Sequence, residues 1–193
     1  MFGMTSGGGS ESSSATLAWC VVSLAALAAA IWDLRTGRIP NVLTFPIFLA
    51  GLLWSTWHGG GSGLLAAVGS AILLAFPCFV LFVYAGGGAG DVKLLGALGA
   101  WLSIHDAVSV LLCVALAGVV CGIISALLRR RSAILFSNLA QMGRGFVLAF
   151  VTRRVRDTQI LIPDEKQMQP MAYGVPICVG VWVAAGGRLL WQW

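Results

Sequence analysis

The residues of this chain best suited to chemistry are two aspartates set at the ends of apolar runs. Asp33 closes the first run, and Asp91 opens another directly after Gly86-Gly87-Gly88-Ala89-Gly90. Acidic groups at membrane depth are costly and rare, so each is a functional candidate by default. Both also have a structural explanation. Asp91 suits the N-cap of a helix and the positive end of its dipole. Asp33 suits an interfacial position paired with Arg35 or Arg38. A carboxylate at a helix C-terminus nevertheless opposes the dipole, at about 0.3–1 kcal/mol. If the two meet, they share a proton and titrate as a pair. One then acts as general base on a water while the other donates a hydrogen bond to a substrate carbonyl, which is metal-free amide hydrolysis. The glycines let an extended substrate strand lie close to Asp91.

Such a pair needs elements to hold it, and the composition says what kind. Hydrophobic residues make up 59% of the 193 and charged residues 10%, against about 45–50% and about 25% in soluble domains. With a mean hydropathy of +0.91, the excess exceeds what a core of this size hides. The expectation is an all-α integral membrane protein, with about six transmembrane helices and an interfacial amphipathic helix before the last. Residues 1–14, rich in Gly and Ser, read as a disordered tail, and 15–193 as a single polytopic domain.

The expected spans are 15–32, 42–57, 63–84 with a bend near Pro77, 92–104, 107–128 and 172–190. A Gly-rich turn at 58–62 joins the second to the third. The fourth is short against the ~20 residues a bilayer requires, which suits a tilted or half-length helix packed inside the bundle, and Gly96 and Ala100 have the spacing that lets helix backbones approach closely. In 132–151, Leu135, Leu139, Met142, Phe146 and Phe150 recur at helical spacing, opposite Ser137, Gln141 and Arg144. That pattern suits a helix lying in the interface, followed by a polar loop over 155–169.

Basic residues test this order. Arg35, Arg38, Lys93, Arg129, Arg130, Arg131, Arg144, Arg153, Arg154, Arg156 and Lys166 all fall on one side, and Arg188 alone falls on the other. By the positive-inside rule the first side is cytoplasmic, and the net charge of +5 is a topology signal, not a sign of nucleic acid. The same order puts Asp33 and Asp91 at one membrane face. Asp106 falls on the outer side and is expected to cap the fifth span. Cys20, Cys78, Cys113, Cys121 and Cys178 form no C-x-x-C pair, and His58 and His105 lie far apart, so neither a disulfide framework nor a metal or other cofactor is expected.

Gly88-Ala89-Gly90-Asp91-Val92-Lys93 is similar to the GxGD motif of bacterial type IV and Flp prepilin peptidases, which are membrane aspartic proteases. Asp33-Leu34-Arg35-Thr36-Gly37-Arg38-Ile39-Pro40-Asn41 resembles their first catalytic segment, with its aspartate six residues before Ile-Pro-Asn. The resemblance implies that Asp33 and Asp91 are catalytic, with Gly88, Gly90, Lys93, Pro40 and Asn41 supporting the substrate loop. It implies an inner-membrane enzyme that removes the short basic leader of a prepilin or pseudopilin at the cytoplasmic face, with lipid around it. Larger members carry a cysteine-rich insertion and methylate the new N-terminus; this chain resembles the minimal Flp-type branch. Where the family often reads Pro-Tyr-Gly before the last span, Ala172-Tyr173-Gly174 stands here after Pro170. Lys93 itself reads as a lysine snorkelling at the interface. The rival readings are a proton-coupled transporter, which favours midplane carboxylates and internal repeats, and a non-catalytic assembly subunit.

Overall fold

The computed structural model describes residues 8–85, 88–128 and 173–191. It is built of helices, with no strand among the described residues. The interfacial helix expected at 132–151 lies outside the described residues.

The helices are α1 (Gly8–Thr36), α2 (Asn41–Ala85), α3 (Ala89–Gly99), α4 (Ile104–Leu128) and α5 (Gly174–Trp191). Three of them are long and apolar enough to cross a membrane, over Ser13–Thr36, Asn41–Val83 and Ile104–Ile124, while Gly174–Arg188 is apolar but shorter. Leu53, Leu65, Leu112, Leu116 and Val183 are more than half exposed, which suits lipid and not water. The chain is a multi-pass membrane protein.

α1 begins at Gly8, about two turns ahead of the expected start at 15 and within the stretch expected to be disordered, because extending an established helix costs little. It stops where Gly37, at φ 64, turns left-handed and donates its N–H to the Asp33 carbonyl at 2.8 Å, a glycine C-terminal stop.

α2 is two helices in one. Pro46 and Pro77 both lie inside it, yet only Gly60 leaves helical dihedrals, at φ 57 and ψ −141. There the chain doubles back, bringing Gly63 against the carbonyl of Ser55. A straight helix would hold those residues about 12 Å apart. The arms 41–59 and 61–85 therefore run antiparallel, joined within the Gly-rich turn expected at 58–62, where Gly60 is the position that needs positive φ; at Pro77, where a bend was expected, the dihedrals stay helical.

α3 is a half-length helix, one of the two forms expected of the fourth apolar run, and it runs over Ala89–Gly99 in place of 92–104. Its 11 residues measure about 16 Å, half of a ~30 Å hydrocarbon core. It lies along α2, where Leu94, Leu95 and Leu98 are completely buried. A β-carbon at Gly96 would sit 3.6 Å from that of Ala75, and Ala100 meets Gly51, so the small residues do allow close approach. At its far end Trp101 Nε1 donates to the Ile47 carbonyl at 2.9 Å, and the Ser55 hydroxyl to the Ala100 carbonyl at 3.0 Å. The core continues through Val22, Ala26 and Ala29 of α1, Val110 of α4, and Ile177 and Val181 of α5.

Asp106 was expected to cap α4. The cap is instead Ser103, whose hydroxyl accepts the Asp106 N–H at 3.1 Å and lies 2.8 Å from Asp106 Oδ2. Asp106, three residues on, also pairs with Arg188 of α5 at 2.8 Å. The Arg188 guanidinium lies 5.6 Å from the ring of Trp19. These contacts gather the start of α1, the start of α4 and the end of α5 at one end of the bundle.

Candidate active site

The other end collects the residues that the sequence singles out. Asp33 sits in the last turn of α1 and is 6% exposed. A carboxylate so buried requires a partner, and it has one: the backbone N–H of Gly174 donates to Asp33 Oδ2 at 2.8 Å. Gly174 is the first residue of α5, so an open helix N-terminus faces the carboxylate. Pairing with Arg35 or Arg38 does not occur; among the described residues the only ion pair is Asp106 with Arg188.

Asp91 is the third residue of α3, and it is not the cap. The N-cap is Gly88, in an extended conformation, with no side-chain hydrogen bond to the helix end. The Asp91 carboxyl folds back over Gly88, where a β-carbon would lie 2.7 Å from Oδ2. It makes no hydrogen bond among the described residues. Burial first, and then the neighbouring Asp33 carboxylate, push the Asp91 carboxyl up to about 7.

The connection between α1 and α2 packs on the start of α3. A β-carbon at Gly90 would lie 3.1 Å from that of Ile39, so the approach depends on glycine there. Pro40 offers its carbonyl to the first turn of α2, at 3.1 Å from the Leu43 N–H. Lys93, expected to snorkel at the interface, donates from Nζ to Asn41 Oδ1 at 2.9 Å, on the exposed side of the same junction. Asp33, Pro40, Asn41, Gly88, Gly90, Asp91 and Lys93 thus come together, although no two of them lie on the same helix except where sequence neighbours do.

Three residues that sequence reasoning did not place here join them. Gly174 holds Asp33, while Cys78 of α2 and Tyr173, just ahead of α5, lie within electrostatic reach of Asp91. Cys78 carries no signal in an apolar run. Tyr173 and Gly174 do, through the Tyr-Gly pair before the last helix.

Chemically, the arrangement has a carboxylate supplied with an N–H donor and a second carboxyl that keeps its proton near neutrality. A buried pair of this kind activates a water on one side and donates to an oxygen on the other.

Comparison with known proteins identifies a family. The sequence model of the type IV leader peptidase family matches residues 20–125, more than half of the chain and a range that holds both aspartates. A prepilin leader peptidase/N-methyltransferase of Burkholderia pseudomallei (strain 1026b) is 35% identical over 119 residues, covering 58% of this chain and 38% of the relative. The protein of that name from Escherichia coli (strain K12) is 31% identical over 112 residues, covering 55% of this chain and 50% of its own length. One from Aeromonas salmonicida (strain A449) is 35% identical over 119 residues, covering 58% and 39%. The chain spans half or less of the length of these curated relatives. No solved structure matches it.

Proposed function

The chain belongs to the type IV leader peptidase family, and from that premise we propose that it is a membrane aspartic endopeptidase with Asp33 and Asp91 as its catalytic pair. The observation that carries the proposal is the meeting of the two acids at one end of the bundle, where the Asp33 charge helps hold a proton on Asp91. The substrate is a prepilin or pseudopilin precursor, cut where its short basic leader meets an apolar helix. Such a substrate lies in the same membrane, and its cleavage point sits at the depth of helix ends, which is where the pair is. The distribution of basic residues favours the cytoplasmic side of the inner membrane.

The peptide enters as an extended strand along the start of α3. The pair, carrying one proton, polarises the scissile carbonyl and deprotonates the water; no metal or organic cofactor enters the scheme.

Co-expression with a candidate prepilin, followed by leader removal on a gel, tests this directly. Asp33→Asn and Asp91→Asn each keep size and most hydrogen bonding but cannot pass the proton. Each should lower cleavage by about 10²-fold or more, the scale of general acid–base catalysis, at unchanged abundance in the membrane. Cleavage at near wild-type rate by either variant would remove the pair from the mechanism.

A further inference from the structure

The two carboxyls are not equivalent, and the difference comes from a residue outside the range that the family model matches. Asp33 Oδ2 receives the Gly174 N–H at 2.8 Å, whereas the Asp91 carboxyl receives no hydrogen bond among the described residues. Gly174 is buried and opens α5, so no preceding turn of that helix uses its N–H. A β-carbon at this position would lie 3.0 Å from both Cβ and Oδ2 of Asp33 and 3.2 Å from the Ala30 Cα. A side chain here would press on Asp33 and Ala30, which would have to shift by a few tenths of an ångström to keep this N–H on the carboxylate.

We propose that Gly174 is a positioning residue that fixes the roles of the pair: its N–H holds Asp33 as the general base, which leaves Asp91 as the acid. The proposal rests on the peptidase reading above and deepens it. An N–H donor at a helix N-terminus favours negative charge on the oxygen it faces. The shared proton therefore resides on the partner without a donor, and the raised Asp91 carboxyl agrees. Other groups do not reverse the bias. Cys78 and Tyr173 lie within electrostatic reach of Asp91, Lys93 is engaged with Asn41, and Arg35 and Arg38 form no ion pair with either acid among the described residues.

The protons then balance through one turnover. Asp33 takes a proton from water as its oxygen adds to the scissile carbonyl carbon, and Asp91 gives its proton to the carbonyl oxygen, leaving a neutral gem-diol. Asp33 next passes its proton to the amide nitrogen as the C–N bond breaks, and Asp91 recovers one from a gem-diol hydroxyl. The pair ends as it began, with one proton, on Asp91.

The test is the pH profile of kcat/KM for the full-length protein in lipid nanodiscs, cutting a prepilin. The cleanest variant replaces the Tyr173–Gly174 amide by an ester, using glycolate in place of glycine, which removes the N–H and adds no atom to the side chain. Gly174→Ala is the second variant, made by ordinary mutagenesis. In both, the acid limb should move to higher pH, by about one pH unit for the loss of one hydrogen bond to a charged group, and further than the alkaline limb. The optimum rate should fall about tenfold or more. A lower rate with both limbs in place would reduce Gly174 to a packing role, and a larger move of the alkaline limb would exchange the two roles. Either result overturns the proposal. Failure of the peptidase reading itself would show separately, as activity surviving in Asp33→Asn.

Discussion

Because burial and the Asp33 carboxylate push Asp91 up to about 7, the folded protein keeps a proton there that an unfolded chain has released by about pH 5. The sign follows from linkage. A carboxyl whose folded value is raised adds stability that is fully present below its ordinary value, near 4, and lost as pH rises through about 7. Asp91→Asn removes this dependence. Its melting temperature relative to wild type, in one detergent, should therefore rise between about pH 5 and about pH 8; a constant difference would mean that Asp91 carries no such proton. By the same logic the kcat/KM of the wild-type protein should fall above about pH 7, as the pair loses its shared proton. Both aspartates were legible in the sequence because an acid bordering an apolar run is rare. The contribution of Gly174 was not. It is made by a backbone N–H, which every residue except proline has, and only the docking of α5 on α1 shows which one is used.

At the scale of elements, the site depends on how closely the start of α3 approaches the α1–α2 connection. With Ile39 3.1 Å from where a Gly90 β-carbon would stand, Gly90→Ala asks for a small shift and Gly90→Val for a large one. Cleavage should fall several-fold in the first and be lost in the second. Ile39→Ala should restore most activity to Gly90→Ala, since it clears the space. Absence of rescue in the double variant would place the effect of Gly90 elsewhere. The existence of α1, the two arms of α2 and α4 could be read from run length and hydropathy alone. Their interruptions were less visible. Of the glycines in 58–63, only backbone geometry picks Gly60 as the turning point, and the 11-residue α3 ends where Trp101 and the Ala100 carbonyl engage Ile47 and Ser55 of α2, contacts that periodicity does not encode.

For the whole molecule, the sidedness of 129–172 determines where the start of α5 can lie. We expect residues 132–151 to stay in the cytoplasmic leaflet, since crossing would carry Arg144 into lipid at about 2.5–3.5 kcal/mol at a helix centre. In a variant without native cysteines, Asp157→Cys and Asp164→Cys should react with an impermeant thiol reagent only after permeabilisation, and Trp193→Cys in intact cells. Labelling of Asp157→Cys from outside would show an additional crossing. The ion pair between Arg188 and Asp106, far from either acid, acquires a meaning in this setting. It pins one end of α5 while the other end rests on Asp33, about 21 Å away along the helix. A rod fixed at one end amplifies small rotations at the other: a tilt of roughly 5° about Arg188 carries Gly174 through roughly 2 Å over that length, enough to open its 2.8 Å contact with Asp33. The two ends of the bundle are in this way joined by one rigid element, with the ion pair to Asp106 at one end and the Asp33 carboxylate at the other.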